Sequence, residues 1–103
     1  MAKIRLFDFW KLATDDKEKP DLVFQGKDLK TVDKVKFQYY KDDSPAGSSF
    51  EVDGDNVKIS ADGTVGIARG IKWEDPDTLD ELEVTVEHTA SSKKDTERKE
   101  LPI

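Results

Sequence analysis

The chain has 103 residues, no cysteine, 17 Lys+Arg against 23 Asp+Glu and a formal net charge of −6. Hydrophobic residues make up 35 % and charged residues 39 %, so the chain suits a single domain, 1–103, with a thin core. The composition excludes a disulfide framework, a thiolate zinc site and a cysteine nucleophile. The acidic balance argues against nucleic acid or an anionic membrane as partner.

The first apolar run is Ile4-Arg5-Leu6-Phe7-Asp8-Phe9-Trp10-Lys11-Leu12. Its aromatic content favours a strand over a helix. Strict alternation puts Ile4, Leu6, Trp10 and Leu12 on one face, and Phe7 and Phe9 on the other. Asp15 to Pro20 is a charged loop. The chain then reads as strands at 21–25 and 28–32 around a tight turn at Gln25-Gly26-Lys27-Asp28. Val35, Phe37 and Tyr39 alternate with polar residues over 34–40, the pattern of a half-buried antiparallel strand.

Beyond a loop at 41–49, strands are expected at 49–53, 56–60, 64–73 and 81–89. Asp53-Gly54 and Asp62-Gly63 are hairpin signals between alternating runs. Val65 and Ile67 alternate with Gly66, and Leu82, Val84 and Val86 with Glu83 and Thr85. The inward set expected from this pattern is Phe37, Phe50, Val52, Ile59, Val65, Ile67, Leu82, Val84 and Val86. Asp77 or Thr78 suits the N-cap of one helical turn. The segment 91–99 has no apolar residue and reads as a charged loop or tail. Leu101 and Ile103 flank Pro102, which suits an edge strand at best. Seven to eight short strands with turns every eight to twelve residues give an all-β, two-layer antiparallel sandwich.

Few groups suggest chemistry. His88 follows Leu82, Val84 and Val86 inward and reads as a histidine at the core edge. Acidic residues gather at Asp53, Asp55 and Asp62 and again at Glu74, Asp75, Asp77, Asp80 and Glu81. Carboxylates on loops suit calcium, but Val57 and Lys58 fall at ligand positions of the twelve-residue calcium loop. Solvated turns are the simpler account, and no metal or cofactor is expected. Ser48, Ser49, Ser91 and Ser92 lie in loops without a histidine beside them, which argues against a serine nucleophile. Lys34, Lys36, Tyr39, Tyr40 and Lys41 would make a base-stacking platform only against the net charge.

Phe50-Glu51-Val52, Asp62-Gly63-Thr64-Val65, Ile71-Lys72-Trp73-Glu74-Asp75 and Leu82-Glu83-Val84-Thr85-Val86-Glu87 occur in that order. This third of the chain, 50–87, resembles the second half of an immunoglobulin-like sandwich of the cadherin kind. The resemblance implies an immunoglobulin-like fold. The family's Asp-x-Asn-Asp-Asn linker is missing, and Glu74-Asp75-Pro76 stands where it has Asp-Arg-Glu. Calcium-dependent adhesion is therefore not implied.

The expected function is a non-enzymatic structural or interaction module, a subunit or decoration of a larger assembly such as a phage virion. An extracellular cadherin-like adhesion or carbohydrate-binding module with weak calcium sites is the alternative. The start at Met1 reads as that of a small gene product without a signal segment; the location stays open, with a virion and an extracellular surface as the alternatives. A protein partner or self-assembly would use Phe7, Phe9, Leu101 and Ile103. A thin sandwich cannot bury both faces of an outer strand, so Phe7 and Phe9 need a neighbouring subunit or a cover from residues 13–33. The C-terminal segment could add to an exposed strand edge.

Overall fold

The computed structural model describes residues 3–12, 19–71, 73, 79–101 and 103. The described residues form nine strands in two antiparallel sheets, with no helix beyond two short 3-10 turns. The strands are β1 (Arg5–Leu12), β2 (Asp21–Lys27), β3 (Lys34–Lys41), β4 (Ser44–Pro45), β5 (Phe50–Asp53), β6 (Val57–Ile59), β7 (Val65–Ala68), β8 (Glu81–His88) and β9 (Lys93–Glu100). One sheet runs β1-β2-β7-β6. The other runs β4-β3-β8-β9, with β5 also pairing β3. The all-β two-layer sandwich is thus the fold.

Alternation decides the inner faces of β3 and β8. Val35 stands opposite Val86, Phe37 opposite Val84 and Tyr39 opposite Leu82, and all six are buried. Leu6, Phe9, Leu22, Phe24, Val57 and Ala68 meet them from the other sheet. Phe50 stacks on Phe37 with ring centroids 5.0 Å apart. Trp73 meets Tyr39 edge-on at 6.4 Å. Phe50, Val52 and Ile59 are only partly buried, because they flank this core.

Several expectations need correction. The segment 21–32 holds one strand, not two around a turn. β2 runs through Gln25 and Gly26 because Gly26 sits against β1, where a Cβ would lie 1.9 Å from the Arg5 carbonyl oxygen. The chain turns after Asp28, whose φ of 58° is left-handed. The Asp53-Gly54 pair makes no hairpin: β5 and β6 belong to different sheets, and the 3-10 turn Gly54–Asn56 carries the chain between them. Asp62-Gly63 does close the β6–β7 hairpin, with Gly63 at φ 73°.

β7 ends at Ala68, short of the expected strand 64–73. Gly70 at φ 67° redirects the chain, and buried Ile71 donates its N–H to the Pro20 carbonyl. Most of the charged segment 91–99 is strand rather than loop or tail, since Lys93–Glu100 pairs residue by residue with β8 and only Ser91 and Ser92 belong to the turn before it. Its lack of apolar residues follows from its edge position, where charges discourage further strand addition. The helical turn at Asp77 and Thr78, and most of the loop 15–20, lie outside the described residues.

Candidate functional site

The outer faces of the two sheets differ in chemistry. On the five-stranded sheet the outward side chains form a charged lattice. Lys34 pairs with Glu51 at 3.7 Å and Lys36 with Glu87 at 3.4 Å. Arg98 contacts Glu81 at 3.6 Å and Asp43 at 3.1 Å, with its guanidinium 4.5 Å above the Tyr40 ring. Thr85 and Thr96 share a hydrogen bond of 2.8 Å. Tyr39, counted in the hypothetical stacking platform, is core, and Lys34, Lys36 and Lys41 all face carboxylates. No base-stacking surface is assembled there.

The four-stranded sheet turns apolar residues outward. Trp10, Val23 and Ile67 stand in one row across β1, β2 and β7, and Lys58 of β6 ends it. Val65 lies one step along, opposite Gln25, and Leu12 lies opposite Asp21 on the other side. Trp10 is 37 % exposed, Leu12 39 % and Val65 38 %. Asp8, Asp21, Gln25 and Lys58 supply a polar border on the same face. An apolar centre with a polar rim is the anatomy of a protein-binding patch.

Two local features create this face. The first is a bulge in β1: Leu6 opposes Gly26 and Asp8 opposes Gln25, so Phe7 has no partner position. One extra residue inverts the alternation beyond it. Phe9 therefore turns inward and is 0 % exposed, while Trp10 and Leu12 turn outward, the reverse of strict alternation. The second is the pairing of Phe24 with Gly66. A Cβ at Gly66 would lie 2.3 Å from the Phe24 ring. The ring fills the inner space of β7, so Gly66 and Ala68 face the core and Val65 and Ile67 face out. The expected burial of Val65 is overturned for that reason.

The four residues expected to contact a partner are thus divided. Phe7 sits on the bulge, 62 % exposed. Phe9 belongs to the core, and strand alternation across a bulge misplaced it. Leu101 and Ile103 are half-buried against the chain's own core. The Leu101 N–H donates to the Asp80 carbonyl at 2.8 Å, and the Ile103 carbonyl accepts from Lys11 at 3.2 Å. The C-terminal segment therefore meets the edge of β1 in its own chain. Trp10, Leu12, Val23, Val65 and Ile67 were missed as surface residues. The glycine inside β7, a mark of close approach in a strand, was the available signal.

The edge of β1 is covered by β9. The Asp95 carboxylate accepts the Leu6 N–H at 2.7 Å. Lys99 donates to the Phe9 carbonyl at 3.0 Å and to Asp8. The hydrogen bond from the Lys99 ammonium holds the Asp8 carboxyl below its usual range, against an opposing effect of burial.

A cleft of about 480 Å³ is lined by Ile4, Asp28, Lys30, Asp62, His88 and Lys93 among others. Contrary to the expectation for the serines, Ser91 Oγ lies 2.8 Å from His88 Nδ1. The pair spans three residues of the 3-10 turn Thr89–Ser91, so the bond locks the turn between β8 and β9. Nearby, Thr89 donates its N–H and hydroxyl to Asp33, lowering that carboxyl's pKa. Asp62 accepts from Ser60 and Thr64 within its hairpin, which lowers its pKa in turn. Among the described residues no three His, Asp or Glu side chains converge as metal ligands, and no helix is long and apolar enough to cross a membrane. Glu74, Asp75 and Asp77 lie outside the described residues. No protein-family model, curated protein or solved structure matches the chain.

Proposed function

We propose that the chain is an immunoglobulin-like module that acts by binding a protein partner through the outer face of its four-stranded sheet, with no chemistry of its own. The observation that carries this reading is the contrast between the two outer faces. One is a lattice of ion pairs, and the other presents Trp10, Leu12, Val23, Val65 and Ile67 behind a polar border. A role as subunit or decoration of a larger assembly fits a module of this kind. The finer fold assignment draws support from strand order. The order β1-β2-β7-β6 against β3-β8-β9 follows the A-B-E-D and C-F-G sheets of an immunoglobulin constant-type domain.

The test compares substitutions on the two faces. Phe7→Ser, Trp10→Ser and Ile67→Ser should keep the melting temperature within a few degrees and abolish association, read by sedimentation velocity and light scattering over a concentration series. Lys36→Ser on the charged face should leave association intact. A large loss of stability in Phe7→Ser and Trp10→Ser, with a monomer throughout the series, would mean that these side chains serve folding alone.

A further inference from the structure

β9 is held to the body of the sandwich by polar contacts. It reads Lys93-Lys94-Asp95-Thr96-Glu97-Arg98-Lys99-Glu100, without an apolar side chain. Lys99, Glu97 and Asp95 stand opposite inward-facing Leu82, Val84 and Val86. Asp95 and Lys99 turn to the backbone edge of β1 rather than into the core. On the outer side Arg98 reaches Asp43 and Glu81. Among the described residues, apolar anchorage comes beyond the strand, from half-buried Leu101 and Ile103. The connection from β8 passes through the 3-10 turn Thr89–Ser91 and through Ser92 at φ 58°. That left-handed conformation is disfavoured for a residue with a Cβ.

We propose that β9 and its C-terminal anchor exchange between two copies of the chain. β9 itself carries no apolar side chain, so apart from half-buried Leu101 and Ile103 its release takes no apolar group out of the core, and the opening that precedes exchange is among the easier local openings of this fold. The contacts that hold it are made to β1, β8 and the turn between β3 and β4, and a second copy offers the same set. Only the hinge at 89–92 changes, and there an extended connection relieves the left-handed residue. An identical element renewing its own contacts on a second copy is the low-cost route to a dimer. This mode of self-association is independent of the outer face of the four-stranded sheet.

The absence of cysteine allows a direct test. Thr85 and Thr96 are directly opposite across β8 and β9, with hydroxyls 2.8 Å apart. In the chain carrying Thr85→Cys and Thr96→Cys, oxidation links the two thiols within one chain when β9 is closed and between chains when it is exchanged. The full chain is incubated at high concentration in sub-denaturing urea, returned to buffer, oxidised and run on a non-reducing gel. A covalent dimer that increases with protein concentration is expected. Added to this pair, Ser92→Pro, which cannot adopt a positive φ, should raise the dimer at least about tenfold. Ser92→Gly, which adopts it freely, should lower the dimer at least about fivefold. Lys36→Ser should leave it unchanged. Monomeric disulfide alone at every concentration, or an equal dimer from Thr85→Cys by itself, would overturn the proposal. If Ser92→Pro does not fold, the Ser92→Gly comparison decides, and a dimer unchanged by that substitution also overturns it.

Discussion

The Phe24–Gly66 contact determines which face of β7 is buried, and replacing Gly66 by alanine tests it. The two residues are opposite in register on neighbouring strands. The added Cβ would lie 2.3 Å from two Phe24 ring atoms and 2.7 Å from Ile59 Cδ1. Phe24 is fully buried, so its ring can move only by displacing neighbours or leaving its rotamer. Overpacking of this kind costs about 1–3 kcal/mol, and a gap so far below van der Waals contact with a confined ring points to roughly the upper half of that range. At about 4–8 °C per kcal/mol for a domain near this size, the melting temperature of Gly66→Ala should fall by roughly 8–24 °C. The assay is thermal unfolding followed by near-ultraviolet circular dichroism, for Gly66→Ala, Phe24→Leu and the double variant. Leucine leaves room for the methyl group, so Gly66→Ala should cost about 1 kcal/mol less in the Phe24→Leu background. An unchanged melting temperature, or strict additivity, would show that Phe24 does not lie over Gly66 and would return Val65 and Ile67 to the core.

Three further outcomes follow from the same structure. Val65→Asp should change stability by no more than about 0.5 kcal/mol, as for other surface substitutions. Val84→Asp places an unpaired charge in the core and should unfold the domain, so similar melting temperatures for the two would refute the facing of β7 and β8. The carboxyls of Asp8, Asp33, Asp62 and Asp80 are held below their ordinary value of 3.8 by hydrogen bonds from, respectively, Lys99, the Thr89 backbone, the Ser60 hydroxyl and the Asp42 backbone. The unfolded chain then binds protons first, so this stabilisation is fully present well above the ordinary value and is lost as the pH falls below it. Urea unfolding midpoints at pH 7 and at steps below pH 4 should show that decline, and Asp33→Asn with Asp62→Asn should make it shallower. Lys99→Ala should let the Asp8 pKa rise toward its ordinary value by NMR titration, with at most about 1 kcal/mol lost from this partly exposed pair.

The sequence by itself determined the sandwich and the inner faces of its central strands. Val35, Phe37 and Tyr39 on β3, and Leu82, Val84 and Val86 on β8, alternate with charged or polar residues. A side-chain period of two with only one apolar set admits a single register against the core. The turn at Asp62-Gly63 was legible for a local reason too, because the left-handed Gly63 is a requirement of the hairpin itself.

Only the tertiary structure decided the candidate face. In β1 both side-chain sets carry large apolar residues, and in β7 both sets are apolar or small, so alternation leaves two answers. The unpaired Phe7 selects one by shifting β1 against β2, and the Phe24 ring selects the other by excluding a Cβ at Gly66. Charge concealed β9, since its pairing energy comes from backbone bonds to β8 and from the reach of Asp95 and Lys99 to β1. Asp53-Gly54 misled because an Asp-Gly turn does not record which sheet the next strand joins. That depends on Val57 finding Ala68 across the sheet, a contact between residues that no local pattern connects.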